Sequence, residues 1–188
     1  MSHERLAING VDSGAQPLFN ETKNLVLAVN GEIYNHLDIK KELKNPSKFM
    51  TESDCEIISH LYEENPENPA AIADRLNGIF AFVLYDESKD RYIVARDHCG
   101  IIPLYWGRDK DGNRWIASEL KALHDMCDEL SDFPPGHVYD SATDTLTKWY
   151  EPAWHDDSVL PTKKVVIEEL RTQLVDSVHA RTHTHTYT

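Results

Sequence analysis

Cysteine is scarce here and shows no pairing pattern. Cys55, Cys99 and Cys127 are the only three in 188 residues, an odd number with no C-x-x-C spacing, so neither a disulfide framework nor a zinc or other metal site is indicated. Basic charge is also short. Nineteen Lys and Arg stand against 32 Asp and Glu, a formal net charge of -13, which argues against nucleic acid or an anionic membrane as partner. The carboxylates are spread along the chain, which fits a soluble cytoplasmic protein better than an acidic tail. No run approaches the roughly 20 apolar residues that span a bilayer. The opening Met1-Ser2-His3-Glu4-Arg5 lacks the apolar stretch of a signal peptide. What remains is a chain long enough, and at 40% hydrophobic content apolar enough, for one packed domain with or without a docking tail.

The most informative stretch is Asn30-Gly31-Glu32-Ile33-Tyr34-Asn35. It follows Leu25-Val26-Leu27-Ala28-Val29, an apolar run that reads as a strand buried on both faces. Asn30 offers a side-chain amide, and Gly31 lets a backbone N–H approach a ligand with no Cβ in the way. Two donors at a strand end suit the developing charge of an acyl-transfer intermediate. Standing alone, an Asn-Gly pair would be a turn.

Around it the periodicity predicts helices first and hairpins afterwards. Residues 5–8 read as the end of a strand, with Asn9-Gly10 and Ser13-Gly14 in the loop beyond. Asn35 is placed to cap a short helix running to about Leu43. Ser53-Asp54-Cys55-Glu56 fits a capping box opening a helix that buries Ile57, Ile58, Leu61 and Tyr62. Pro66 and Pro69 break it, and a further helix runs over 70–76. Residues 79–85 with 91–96, 101–106 with 114–117, and 137–139 with 146–150 read as three hairpins. This order predicts an α+β domain with antiparallel sheets. Residues 152–161 read as a linker. Thr162 is expected to cap a last helix bearing Ile167, Leu170, Leu174 and Val178 on one face. Residues 181–188 are a low-complexity His-Thr tail.

Taken together, these landmarks resemble the N-terminal glutaminase half of glutamine-dependent asparagine synthetase, a class II glutamine amidotransferase of the Ntn-hydrolase superfamily. The resemblance rests on His3-Glu4-Arg5-Leu6-Ala7-Ile8, Ser13-Gly14-Ala15-Gln16-Pro17-Leu18, Val29 followed by Asn30-Gly31-Glu32-Ile33-Tyr34-Asn35-His36, and Ser53-Asp54-Cys55-Glu56. It continues through Gly78-Ile79-Phe80-Ala81-Phe82, Arg96-Asp97-His98-Cys99-Gly100-Ile101-Ile102-Pro103-Leu104-Tyr105, Ser118-Glu119-Leu120-Lys121 and Phe133-Pro134-Pro135-Gly136-His137. The segments fall in the family's order over about residues 2–180. Phosphoribosyl and fructose-6-phosphate amidotransferases share the Arg96 to Tyr105 piece; the Asn30 and Phe133 segments argue against them.

The resemblance implies a partial four-layer αββα fold with stacked antiparallel sheets. It implies an amidotransferase domain over 1–151, the linker, and the first helix of a synthetase domain over 162–180. In this family the first domain releases ammonia from glutamine, and the second uses it with ATP and Mg to convert aspartate to asparagine. No cofactor is expected on the present chain, and members are often homodimers. By the same resemblance Arg5 would hold the glutamine α-carboxylate, with Leu6, Ala7, Ile8 and Asn9 as one pocket wall; Asn9 departs from the apolar residue expected there. Asn30 and Gly31 would form the oxyanion hole, and Glu32 and Asp54 would bind the α-ammonium. Asp54 has a rival role in the first turn of a helix. Arg96, Asp97 and Pro103 read as a structural corner without chemistry, and Cys55 and Cys99 as small fillers.

The family also uses an N-terminal cysteine, with its own amine as base, and a Ser-Gly-Gly-Leu-Asp-type ATP loop; neither is in this sequence. The expectation is therefore a fragment lacking its first strand, without glutaminase activity, since loss of a nucleophile costs on the order of a million-fold. Low solubility is expected as well, from exposed strand edges. A non-catalytic glutamine-binding module is the alternative.

Overall fold

Period-two alternation builds the larger of two sheets, and the register shows which side chains share a face. The computed structural model describes residues 1, 3, 10, 12–44, 46–156, 158 and 162–182. The strands are β1 Leu18–Phe19, β2 Leu25–Ile33, β3 Gly78–Asp86, β4 Arg91–Arg96, β5 Tyr105–Arg108, β6 Arg114–Ala117, β7 Glu129–Asp132, β8 His137–Asp140 and β9 Thr145–Lys148. Six form one antiparallel sheet in the order β1-β2-β3-β4-β8-β9, and three form another in the order β6-β5-β7.

In the six-stranded sheet Leu27 pairs with Leu84, Val29 with Phe82, and Ala95 with both Phe82 and Val138. Alternate side chains point to opposite faces, so these residues share one. That face packs in one buried cluster with Ile39, Ile57, Ile58, Leu61, Ile72 and Ala73, the inward residues of three helices: α1 His36–Glu42, α2 Ile57–Glu64 and α3 Pro69–Arg75. The intervening residues Ala81, Val83, Tyr92, Val94 and Tyr139 pack on the other face against Trp106, Ile116, Leu104 and Phe133 of the second sheet and its flanks. The layers therefore run helices, sheet, sheet. Arg91 spans β4 to β8, donating from Nε and Nη2 to the two oxygens of Asp140 at 2.9 and 2.6 Å.

Several details differ from the pattern-based expectation. Helix α1 begins after Asn35 as expected, but the Asn35 side chain does not cap it. Its Oδ1 accepts from Asn77 N and its Nδ2 donates to Arg75 O, both at 2.9 Å, tying α1 to the end of α3. Asn35→Ala is expected to destabilise the domain by about 1–2 kcal/mol, the worth of two partly exposed hydrogen bonds, measurable by urea denaturation. The capping box is half formed. Ser53 Oγ accepts from Cys55 N at 3.4 Å, but Glu56 turns away to Met50 and Thr51, and Asp54–Glu56 is a 3-10 turn leading into α2. Strand β7 was not foreseen: Glu-Leu-Ser-Asp at a mostly exposed edge has neither alternation nor β-branched residues. Residues 101–104 are irregular, and β5 begins only at Tyr105.

Contacts divide the chain into two compact units, Met1–Tyr150 and Glu151–Thr188. In the second, helix α4 spans Ile167–Thr182, so Thr162 lies five residues before its start and does not cap it. The β-branched Val165 and Val166 just before it are poor helix starters. Ile167, Leu170, Leu174 and Val178 are exposed.

Candidate functional site

The site is built where β2 runs out of apolar residues. Ala28 and Asn30 project toward the second sheet, Val29 and Ile33 toward the helices. Asn30 is exposed to a cleft of about 550 Å³ between the sheets. Ala28, Ala81 and Val83 form one wall with it, Ile116, Ser118 and Glu119 the other, and His3 also lines the cleft. Among the described residues no cysteine does.

Gly31 has φ +145°, and a Cβ there would lie 2.1 Å from Ile79 O and 2.7 Å from Phe80 Cα. Across the ladder, a Cβ on Gly78 would lie 2.1 Å from Glu32 O. Closeness of β2 to β3 therefore demands glycine at 31, whatever a ligand requires.

The hydrogen bonds of β2 show which edge is open to a small molecule. A residue in an antiparallel strand sends its N–H and C=O to the same side. Leu25 N donates to Asn20 Oδ1 at 3.0 Å. Val29 exchanges both its groups with the Gln16 amide, at 2.8 and 2.6 Å. Gly31 O accepts from Cys55 Sγ at 3.5 Å, and Ile33 N donates to Asp54 Oδ2 at 2.6 Å. All of these face away from β3, whereas Tyr34 N turns to Asn77 O on the β3 side. The alternation aims the Gly31 N–H at the same outer edge, between Gln16 and Asp54.

Asp54 reaches this edge from the helix side. Buried, with one oxygen committed to Ile33, it lines a separate hollow of about 200 Å³ with His36, Lys40, Phe49, Thr51 and Ser53. Asn30 and Asp54 thus flank the end of β2 on opposite sides and do not open into one shared cavity. The Cys55 thiol is pushed well above its ordinary pKa first by burial, then by the Asp54 charge, with Glu32 adding. Cys55 stays a protonated filler, as its place in the chain suggested. Asp54 does stand in the first turn of the 3-10 helix, and it bonds β2 from there.

Arg5, Leu6, Ala7, Ile8 and Asn9 lie outside the described residues. The residue after them, Gly10, adopts φ +59° with its Cβ position 2.8 Å from Ser53 N, and Ser13 Oγ accepts from Glu52 N at 3.0 Å. The segment that follows Asn9 therefore packs on the loop leading to Asp54. Sequence reading missed the pairing role of Gln16; its only trace was membership of the Ser-Gly-Ala-Gln-Pro motif.

The Arg96-Asp97 corner is structural, as expected. Arg96 donates to the carbonyls of Ile102, Phe133 and Gly100 at 2.7, 2.7 and 2.9 Å. Asp97 accepts from the N–H groups of Cys99, Ile101, Ile102 and Phe80 at 3.0 to 3.4 Å.

Residues 1–151 match the glutamine amidotransferase domain family. The chain belongs to this family. A probable glutamine-hydrolysing asparagine synthetase of Schizosaccharomyces pombe is 49% identical over 183 residues, 96% of this chain and 32% of that protein. The nodule glutamine-hydrolysing asparagine synthetase of Pisum sativum is 50% identical over 161 residues, 86% of this chain and 27% of that protein. The chain spans about a third or less of the curated relatives it matches. Among solved structures, the glutamine phosphoribosylpyrophosphate amidotransferase of B. subtilis superposes with a TM-score of 0.66 at 29% identity, covering 80% of this chain and 34% of that one. The amidotransferase domain is thus an α+β Ntn-hydrolase fold, and its sequence sides with the asparagine synthetases. No helix among the described residues is long and apolar enough to cross a membrane. No described group of three or more His, Cys, Asp or Glu could hold a metal ion.

Proposed function

We propose that this domain binds glutamine at the outer edge of β2 and serves the glutamine-hydrolysing half of an asparagine synthetase. The observation that carries the reading is the Gly31 N–H, which the register aims at that edge between Gln16 and the Asp54 carboxylate, next in the chain to Asn30. In acyl transfer from glutamine, charge develops on the side-chain carbonyl oxygen, and fixed donors stabilise it where water is thinned. Asn30 and Gly31 are those donors. Glu32 and Asp54 take the α-ammonium, Arg5 the α-carboxylate through a bidentate pair, and Leu6, Ala7, Ile8 and Asn9 form a wall. The ammonia released would aminate activated aspartate in a synthetase domain, where ATP and Mg bind; this domain uses no cofactor of its own. A cytoplasmic homodimer without nucleic-acid or membrane partners completes the proposal, in line with the charge of -13.

Thermal unfolding in L-glutamine tests it. A ligand at a hundred times its Kd stabilises by about 2.7 kcal/mol. L-glutamine should raise the Tm, D-glutamine and L-asparagine should not, and Asp54→Asn should weaken binding about tenfold by removing the charge partner of the ammonium. An unchanged Tm at tens of millimolar L-glutamine would sink the reading.

A further inference from the structure

The loop that delivers Asp54 hangs on a buried acid and a buried histidine. Glu56 is 1% exposed. Its Oε1 accepts from Met50 N at 2.6 Å, and its Oε2 from Thr51 N and Thr51 Oγ1 at 2.7 and 2.6 Å. Thr51 Oγ1 in turn accepts from Ser53 N at 3.1 Å, and Ser53 precedes Asp54, which holds β2. Hydrogen bonds thus run from Glu56 through Thr51 to Ser53, and the next residue along the chain, Asp54, bonds β2 at the proposed glutamine edge.

His60 decides how firmly Glu56 is held. It lies buried against the Phe49 ring, centroids 3.8 Å apart. Ser47 Oγ spends its proton on Glu63 Oε2 at 2.6 Å, so at 3.2 Å from His60 Nδ1 it can only accept. The proton on Nδ1 is thereby fixed. In the neutral ring Nε2 then carries a bare lone pair, 3.6 Å from Glu56 Oε1 and with no hydrogen-bond partner. In the charged ring the same nitrogen presents an N–H to that carboxylate. The other charged groups around it are Glu63, 3.6 Å from Nδ1 and held by Asn20, and Lys40 of α1, which sits over the outer neighbourhood at the Phe49 ring, 3.9 Å from its centroid. On the same loop Lys48 N donates to Glu21 and Lys44 N to Glu64.

We propose that Glu56 is a positioning residue for the site, and that the proton on His60 sets whether Glu56 holds the 50–54 loop against β2; this rests on the glutamine reading above. Burial alone would lower the His60 pKa, but the facing carboxylates of Glu56 and then Glu63 outweigh it and leave it above the ordinary value. A raised histidine pKa contributes stability that is complete below the unfolded value of about 6.5 and is lost as pH rises through the folded value. The loop therefore loosens on the alkaline side.

Amide hydrogen exchange at Met50 and Thr51 between pH 6 and 9, referred to Leu84 in the core, reads the clamp without any ligand. Protection should fall about tenfold or more in the native protein, the equivalent of losing one charge-assisted hydrogen bond. His60→Gln, whose amide can donate toward Glu56 at every pH, should make protection independent of pH. Glu56→Gln should lower it throughout. Flat protection in the native protein, or full protection in Glu56→Gln, overturns the clamp, and the first needs no variant to fold. The Kd for L-glutamine should weaken in step with exchange in the native protein and stay flat in His60→Gln. Exchange that changes while Kd does not removes the positioning role. Absence of glutamine binding at every pH instead defeats the reading of the site, and exchange alone then judges the clamp.

Discussion

Asp97→Ala is expected to destabilise the domain by about 3–5 kcal/mol, because it strips the acceptor from a cluster of buried amides. The residue is 0% exposed, and its two oxygens accept from Cys99, Ile101, Ile102 and Phe80. Each buried N–H left unpaired costs roughly 1–3 kcal/mol, and the sum is reduced because water can reach the exposed turn at 99–101. The Asp97 backbone also accepts from Gly100 and Gly136, so the corner joins the turn after β4 to the approach of β8. Chemical denaturation is the measurement: the midpoint should fall with the slope unchanged. A loss under about 1 kcal/mol would mean the corner is not a stability determinant. Asp97→Asn, which keeps one acceptor oxygen, should lose about half as much.

Gly31→Ala should be as damaging, for a different reason. The added methyl would meet Ile79 O at 2.1 Å and Phe80 Cα at 2.7 Å. These are backbone atoms in the middle of a paired ladder and cannot turn aside as a side chain would. Either β2 separates from β3 or the backbone leaves φ +145°, and both disturb the registry that aims the 31 N–H outward. Gly112→Ala is the control. It too has positive φ, +85°, but nothing lies within 4 Å of its Cβ position, so it should show only the conformational cost of about 1–2 kcal/mol. The prediction is a loss of at least 3 kcal/mol for Gly31→Ala, with no detectable L-glutamine binding by the folded remainder. Equal stabilities for the two variants would show that the strand contact is relaxed in solution.

The central strands could be read in the sequence because 25–29, 79–84 and 93–95 are unbroken apolar runs, with residues such as 27, 29, 82 and 84 packed under the helices and 81, 83 and 94 under the second sheet. Burial on both sides writes an unbroken apolar run into the chain. Where burial is slight, as in β7, no such run is written, and the strand is held by its ladder to β5 and by Trp106 Nε1 donating to Ser131 Oγ at 2.9 Å. The family motifs gave Asn30, Gly31, Glu32 and Asp54 as a set; the fold sets them along one strand end, but with Asn30 and Asp54 in separate hollows. Which side of β2 each occupies was not legible. It follows from the register with β3 and from the Asp54 bond to Ile33 across 21 positions, and no local pattern encodes a contact of that span. The same holds for Glu56. A Ser-x-x-Glu spacing promised a reciprocal cap, but the carboxylate found stronger use in two backbone amides and a hydroxyl of the preceding loop.

The stretch 46–53 belongs to no strand or helix; it is hung from Glu56, Glu63, Glu21 and Ser13 by side-chain bonds at separate points. A segment suspended in this way can be exchanged as a cassette. Loops of other lengths could be grafted between the same anchors, changing the guest accepted beside β2 while the sheets beneath keep their order.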